Sequence, residues 1–262
     1  MRIRILIAVG LAWWAICGCA ADAPPGSAGT ATPSASASAS APGPAIPECQ
    51  GGPKVPLTSV TVPVPGGETL VAGVAGDGPL AVAIANTTTG SHCDWMIWAD
   101  HLVRQGHRVA VYNYGFLPNR LGVKESLKAG PAELAALGAR LRELGARKVV
   151  YAGGSLGGSI ALTVAAEPEN QAAGVISLSG GYEVADELRR TVRRLAVPAL
   201  YAVTRDDPLG VAKIAERLHA ATPEGKGELL RYPGTQHAHE MFHGTPYLEE
   251  LMSGLDAFLA RL

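Results

Sequence analysis

From residue 57 onward, short runs rich in Val, Ile, Leu and Ala alternate with stretches of helical period, and this alternation restricts the possible folds most. The β-like runs are "LTSVTVPVP", "TLVAGVAG", "PLAVAIAN", "RVAVYNYG", "KVVYAGG", "AAGVISLSG", "PALYAVT" and "GELLRYPG". The first two are joined through Gly66 and Gly67 and read as an antiparallel pair. Helical patterns separate the others, which is the signature of a mostly parallel sheet with helices on both faces. The expectation is one α/β domain over residues 55–262 with an eight-stranded sheet, a size that buries a full core.

The helices carry readable punctuation. In "GPAELAALGARLRELG", Pro131 suits a first turn, Leu134, Leu137, Leu141 and Leu144 form one apolar stripe, and Gly145 marks the end. "CDWMIWADHLVRQG" turns Trp95, Trp98 and Leu102 inward, and the last helix does the same with Leu248, Leu251, Leu255, Phe258, Leu259 and Leu262. All of these read as core. Between the sixth strand, ending near Gly180, and the seventh, beginning near Val197, there are only about sixteen residues. They hold one helix, "EVADELRRTVRRL", whose basic residues suit a solvated face, so no lid domain is expected and any crevice should be open and shallow.

The N-terminus "MRIRILIAVGLAWWAICG" has two arginines before an apolar run too short for a comfortable membrane span, which reads as an export signal. The following "ICGC" resembles a bacterial lipobox; that resemblance implies loss of residues 1–18, a diacylglycerol on Cys19 and a place on the outer face of the cell membrane. An ordinary secretory peptide cleaved nearby is the alternative. Residues 19–54 are dominated by Ala, Ser, Pro, Gly and Thr and read as a disordered tether. Extended at about 3.1 Å per residue, such a tether reaches roughly 100 Å. With Cys17 removed and Cys19 lipidated, Cys49 and Cys93 remain in an oxidising compartment and are expected to pair, two unlinked thiols being the alternative. Neither lies in a CxxC metal spacing. A net charge of −1 and the lack of a basic run argue against a nucleic-acid partner.

In a parallel sheet the ligand crevice lies beyond the carboxyl ends of the strands. After the fifth strand, Gly153, Ser155 and Gly157 spell G-x-S-x-G directly before "SIALTVAA". With Gly at 32 of 262 residues, chance predicts on the order of 0.3 such matches, so the placement between strand and helix carries the signal. An abrupt strand-to-helix turn strains the serine, points its Oγ into the crevice and offers the Leu156 N–H as an oxyanion donor. A glycine-rich turn that binds a phosphate, or nothing, is the alternative. After the seventh strand "YAVTRDDPLG" supplies carboxylates, and after the eighth "YPGTQHAHEMFHG" supplies His237, His239 and His243.

The order Ser, Asp, His at these strand ends resembles the α/β-hydrolase superfamily across residues 57–262, especially its small esterase, lipase and dienelactone-hydrolase-like members. The resemblance implies Ser155 as nucleophile and His237 as base, since "PGTQHA" looks like the family's histidine loop, with His239 in reserve. It implies Asp207, followed by Pro208, as the acid that orients the imidazole. Asp207 as a helix N-cap with Asp206 as the acid, or Glu183 or Asp186 after the sixth strand, are the other readings. Where relatives carry His-Gly after the third strand, this chain has Asn86 and Thr87, so the second oxyanion donor is expected from the N–H of Thr88 or Thr87. Tyr114 and Phe116 either border the pocket or pack.

The implied activity is a serine hydrolase forming an acyl-enzyme, without metal or organic cofactor, acting on a small-molecule ester or an exposed polymer ester. A silent binding or scaffold lipoprotein on the same fold, and an acyltransferase with the same residues, are the alternatives. His239, Glu240 and His243 also spell the zinc pattern H-E-x-x-H, but Gly244 and Pro246 interrupt the helix that pattern requires.

Overall fold

The computed structural model describes residues 44–66 and 69–262. The export signal, Cys17, Cys19, the tether up to residue 43 and Gly67 lie outside the described residues. Strands β1 (Thr58–Pro63) and β2 (Thr69–Ala75) form the antiparallel pair expected around Gly66. Then follow β3 (Leu80–Ala85), α1 (Met96–Arg104), β4 (Arg108–Tyr112), α2 (Pro118–Leu121), α3 (Val123–Glu143), β5 (Lys148–Gly154) and α4 (Leu156–Ala165). The chain continues through β6 (Ala172–Leu178), α5 (Ala185–Val192), β7 (Ala199–Thr204), α6 (Val211–Ala221), β8 (Gly227–Tyr232) and α7 (Leu248–Ala260).

The sheet order is β1-β2-β4-β3-β5-β6-β7-β8, with β2 antiparallel to β4 and the later pairings parallel. Because β4 lies on one side of β3 and β5 on the other, the loops leaving β3 and β5 diverge at the strand switch, the position at which sheets of this kind bind ligands.

Strand periodicity divides the core into two layers. In β3, Ala81, Ala83 and Ala85 face Leu134, Leu137 and Leu141 of α3 and Ile160 and Val164 of α4. Val82 and Ile84 face the other way, toward Trp98 and Leu102 of α1 and Leu251, Leu255 and Phe258 of α7. With both faces covered, β3, β4 and β7 are buried along their whole length, which is why they read as continuous apolar runs. Between β6 and β7 only the eight-residue α5 is inserted, so no lid domain stands over the sheet.

Two expectations need correction. Pro131 does not open a helix: α3 starts at Val123 and carries Pro131 inside it. The preceding "VKESLKA" is made of residues that tolerate helix, and buried Leu134, Leu137 and Leu141 hold the element although the proline removes one internal N–H. The second correction concerns residues 44–54. Ile46, assigned from composition to the tether, is buried in the α1/α7 layer, and its N–H donates to Ser59 Oγ at 3.0 Å.

Cys49 and Cys93 form a disulfide with Cα atoms 5.4 Å apart, clamping this N-terminal segment to the 3-10 turn His92–Trp95 that precedes α1. The bond spans 44 residues, for which loop-closure entropy sets an upper bound of about 4 kcal/mol. Urea unfolding with and without a thiol reductant should therefore show a lower midpoint in the reduced protein. An unchanged midpoint would mean the segment contributes nothing beyond its noncovalent contacts.

Candidate active site

Ser155 follows β5 and precedes the first residue of α4, and its backbone sits at φ 53°, ψ −115°. For a residue with a Cβ that conformation costs about 1–3 kcal/mol and persists only where neighbours enforce it. Here the Ser155 N–H donates to Leu178 O of β6 at 2.8 Å, and the Ser155 carbonyl accepts from Ser159 N at 3.2 Å. The glycines beside it are required by close approach. A Cβ on Gly157 would lie 2.3 Å from Ala85 O and 2.5 Å from Asn86 O, and one on Gly153 would lie 2.4 Å from the Gly157 carbonyl carbon. The loop after β3 thus rests directly on the first turn of α4. Gly157→Ala is expected to lower stability by at least about 2 kcal/mol, read from urea unfolding, because backbone rather than a flexible side chain must give way.

Leu156 opens α4, so its N–H is one of those a helix leaves without an internal acceptor. Thr88 lies in the adjoining loop after β3. In that loop the amides of Gly90, Ser91 and His92 bond to Thr87 Oγ1, Asp94 Oδ2 and Asn113 Oδ1 at 2.9, 2.7 and 2.9 Å. The amides of Thr87 and Thr88 have no hydrogen-bond partner among the described residues.

Asp207 and His237, the acid and base expected from the sequence, lie in the loops after β7 and β8. Asp207 Oδ2 and His237 Nδ1 are 2.7 Å apart, and the Asp207 side chain is fully buried. Asp207 Oδ1 accepts from Leu209 N at 3.0 Å. Asp207 does not cap α6, which begins at Val211 after Gly210. Asp206, Glu183 and Asp186 are exposed, so none of the other carboxylates competes for this position. A carboxylate can only accept, so the His237 ring proton sits on Nδ1 and leaves the Nε2 lone pair free. Nε2 is buried and has no hydrogen-bond partner among the described residues.

Several bonds hold the histidine loop in place. Thr204 Oγ1 donates to Gln236 O at 2.9 Å, Asp206 N donates to Gly234 O at 3.1 Å, and His237 N donates to Glu240 Oε2 at 2.8 Å. Ala238 N donates to Ser179 Oγ at 3.1 Å, joining this loop to the end of β6. A Cβ on Gly154 would sit 2.7 Å from Ala238 Cβ, so the residue before Ser155 abuts the residue after His237.

His239 takes a different role. Its ring lies edge-on to Trp95, with centroids 5.9 Å apart, and burial pushes its pKa below the usual histidine value. It has no carboxylate hydrogen bond among the described residues. His239 and Glu240 of the H-E-x-x-H pattern lie in a 3-10 turn, Ala238–Phe242, with His243 just past its end, and Glu240 is engaged by the His237 amide. The helical face that the zinc pattern needs is not formed.

Tyr114 is a packing residue. Its hydroxyl donates to Asn86 O at 2.7 Å, its ring stacks on Phe116 at 4.9 Å, and burial, with the Glu133 carboxylate nearby, drives its pKa well above the usual tyrosine value. Sequence reasoning missed Asn113, Ser179 and Gln236. Each acts through its own side-chain or backbone oxygen on a partner at least 21 residues away, and no local pattern reports that.

No protein-family model matches the chain, and no curated protein matches it in sequence. Solved structures do match. A dienelactone hydrolase from Anabaena variabilis superposes with a TM-score of 0.66 at 19% identity, covering 78% of this chain and 97% of that one. An esterase from Pyrococcus furiosus gives 0.66 at 16% identity, over 82% and 96% of the two chains. The esterase domain of a Rhodothermus marinus protein gives 0.63 at 17%, over 78% and 98%. With the strand order and the strand-to-helix turn at Ser155 already described, these likenesses establish that residues 44–262 have the α/β-hydrolase fold.

Proposed function

We propose that the protein is a serine hydrolase that cleaves an ester-type bond through an acyl-enzyme on Ser155. The observation that carries this reading is the pairing of buried Asp207 with His237 at 2.7 Å, with Nε2 unpartnered among the described residues and with the histidine's loop packed against the strained turn of Ser155. Structural neighbours described as esterases and a dienelactone hydrolase support it.

In this reading Ser155 Oγ attacks the ester carbonyl carbon as its proton passes to His237 Nε2, and the buried Asp207 carboxylate stabilises the imidazolium. The C–O π pair moves onto oxygen, and that oxyanion accepts from the amides of Leu156 and Thr88. Collapse of the tetrahedral species breaks the bond to the alcohol, which takes the proton from His237. Water then adds to the acyl-enzyme, giving its proton to His237, and the second collapse returns that proton to Ser155 as the acid leaves. With no lid between β6 and β7, the substrate class is a short acyl ester or an ester exposed on a larger polymer.

The N-terminal pattern supports the remainder of the reading: export, and retention on the outer face of the membrane through lipid on Cys19. Two measurements test the whole. A fluorophosphonate should label folded protein on the peptide bearing Ser155, and His237→Ala should lose the label; folded wild-type protein left unlabelled would remove the mechanism. The mass of membrane-extracted protein should show a diacylglycerol-modified Cys19 as the new N-terminus, and a polypeptide cleaved elsewhere and unlipidated would remove the anchor.

A further inference from the structure

The loop that crosses the candidate site after β3 is fastened at both ends to one oxygen. Asn113 Oδ1, just past the end of β4, accepts from His92 N at 2.9 Å, stands 3.2 Å from His92 Nδ1, and receives a longer bond from Asn86 Nδ2 at 3.4 Å. Asn86 is the first residue of the loop and His92 nearly the last. Asn86 is itself almost completely buried, its Nδ2 donating to Tyr112 O at 2.5 Å and its Oδ1 accepting from Trp95 Nε1 at 2.7 Å. Beyond His92, whose Nε2 stands 2.9 Å from Pro47 O, the loop runs into the Cys49–Cys93 disulfide.

Within this arch the amides of Gly90, Ser91, His92 and Cys93 are engaged by side-chain oxygens, and those of Thr87, Thr88 and Thr89 have no partner among the described residues. A short loop with fixed ends and engaged later amides leaves its three remaining N–H groups little freedom to reorient. That is the preorganisation a developing oxyanion needs, since donors that must reorient during reaction stabilise it far less.

We propose that Asn113 is the positioning residue of the oxyanion loop, acting only as an acceptor that ties residues 86 and 92 together. The proposal rests on the hydrolase reading above. It fills the place left by the missing His-Gly pattern: here a side chain from the neighbouring strand end shapes the donor loop. Asn113 is exposed as a residue, so it can be changed without opening the core.

The test compares Asn113→Ala with Asn113→Asp in the full-length protein. Aspartate retains the acceptor oxygens and should keep kcat for a short-chain p-nitrophenyl ester within about threefold of wild type. Alanine should lower kcat by on the order of 10-fold to 100-fold with KM changed less than about twofold, because a misplaced donor is felt in the transition state and not in binding. Hydrogen exchange of the peptide covering residues 86–93 should speed up in the alanine variant and not in the aspartate one. Unchanged exchange in Asn113→Ala, equal loss in both variants, or a change confined to KM would each overturn the proposal. If wild-type protein neither labels on Ser155 nor cleaves esters, the hydrolase reading fails, and with it the proposed role. The exchange comparison then still decides separately whether Asn113 anchors the loop.

Discussion

Ser155→Ala is expected to reduce kcat/KM for a short-chain ester by about 100,000-fold to 1,000,000-fold while leaving the fold intact. In the proposed mechanism Ser155 is the nucleophile of a group that acts as a unit, where the loss of one member approaches the loss of all. Stability should hardly move, because Ser155 Oγ makes no hydrogen bond among the described residues, and the bonds that enforce the turn belong to its backbone. Circular dichroism and urea unfolding verify the fold, and a steady-state assay gives the rate. A loss smaller than about 100-fold would place the nucleophile elsewhere.

Asp207→Asn should lower kcat by about 10,000-fold, with KM little changed. An amide in that position can donate to His237 Nδ1, which shifts the ring proton to Nε2 and leaves that atom unable to take the serine proton in the proposed mechanism. The conservative shape keeps an acceptor for Leu209 N, so the loop after β7 should survive. Asp206→Asn provides the control. That neighbour is exposed and contributes to the histidine loop only through its backbone N–H to Gly234 O, so activity should stay within about twofold of wild type. Equal losses at the two positions would mean that local charge, rather than the buried pair, governs the histidine.

The strands were legible because both faces of the sheet are covered. A run such as "PLAVAIAN" has no polar side to blur it, and β3 lies within it from Leu80 to Ala85. Helix limits were less legible where packing outweighs propensity. Pro131 looks like a beginning, yet the leucine stripe carries α3 through it. At the site, Ser155, Asp207 and His237 could be named because each stands at a strand end in a recognisable local pattern, and the structure puts the last two in contact. Pro208 already set Asp207 apart from adjacent Asp206 in the sequence, and the burial of Asp207 and its bond to His237 add a contrast that two neighbouring identical letters do not encode. The fastening of the loop after β3 was invisible for a different reason. Asn86, His92, Asn113 and Pro47 meet through long-range bonds to backbone and amide oxygens, and no spacing along the chain brings them together.

The disulfide also makes residues 49–93 a closed covalent ring. The exposed Gly51–Gly52 bend lies on that ring, and it is the kind of site a protease nicks readily. A single cut there would leave every residue attached to the molecule by a chemical bond. On a non-reducing gel such a clipped protein would still run as one species, separating into two pieces only after the bridge is reduced.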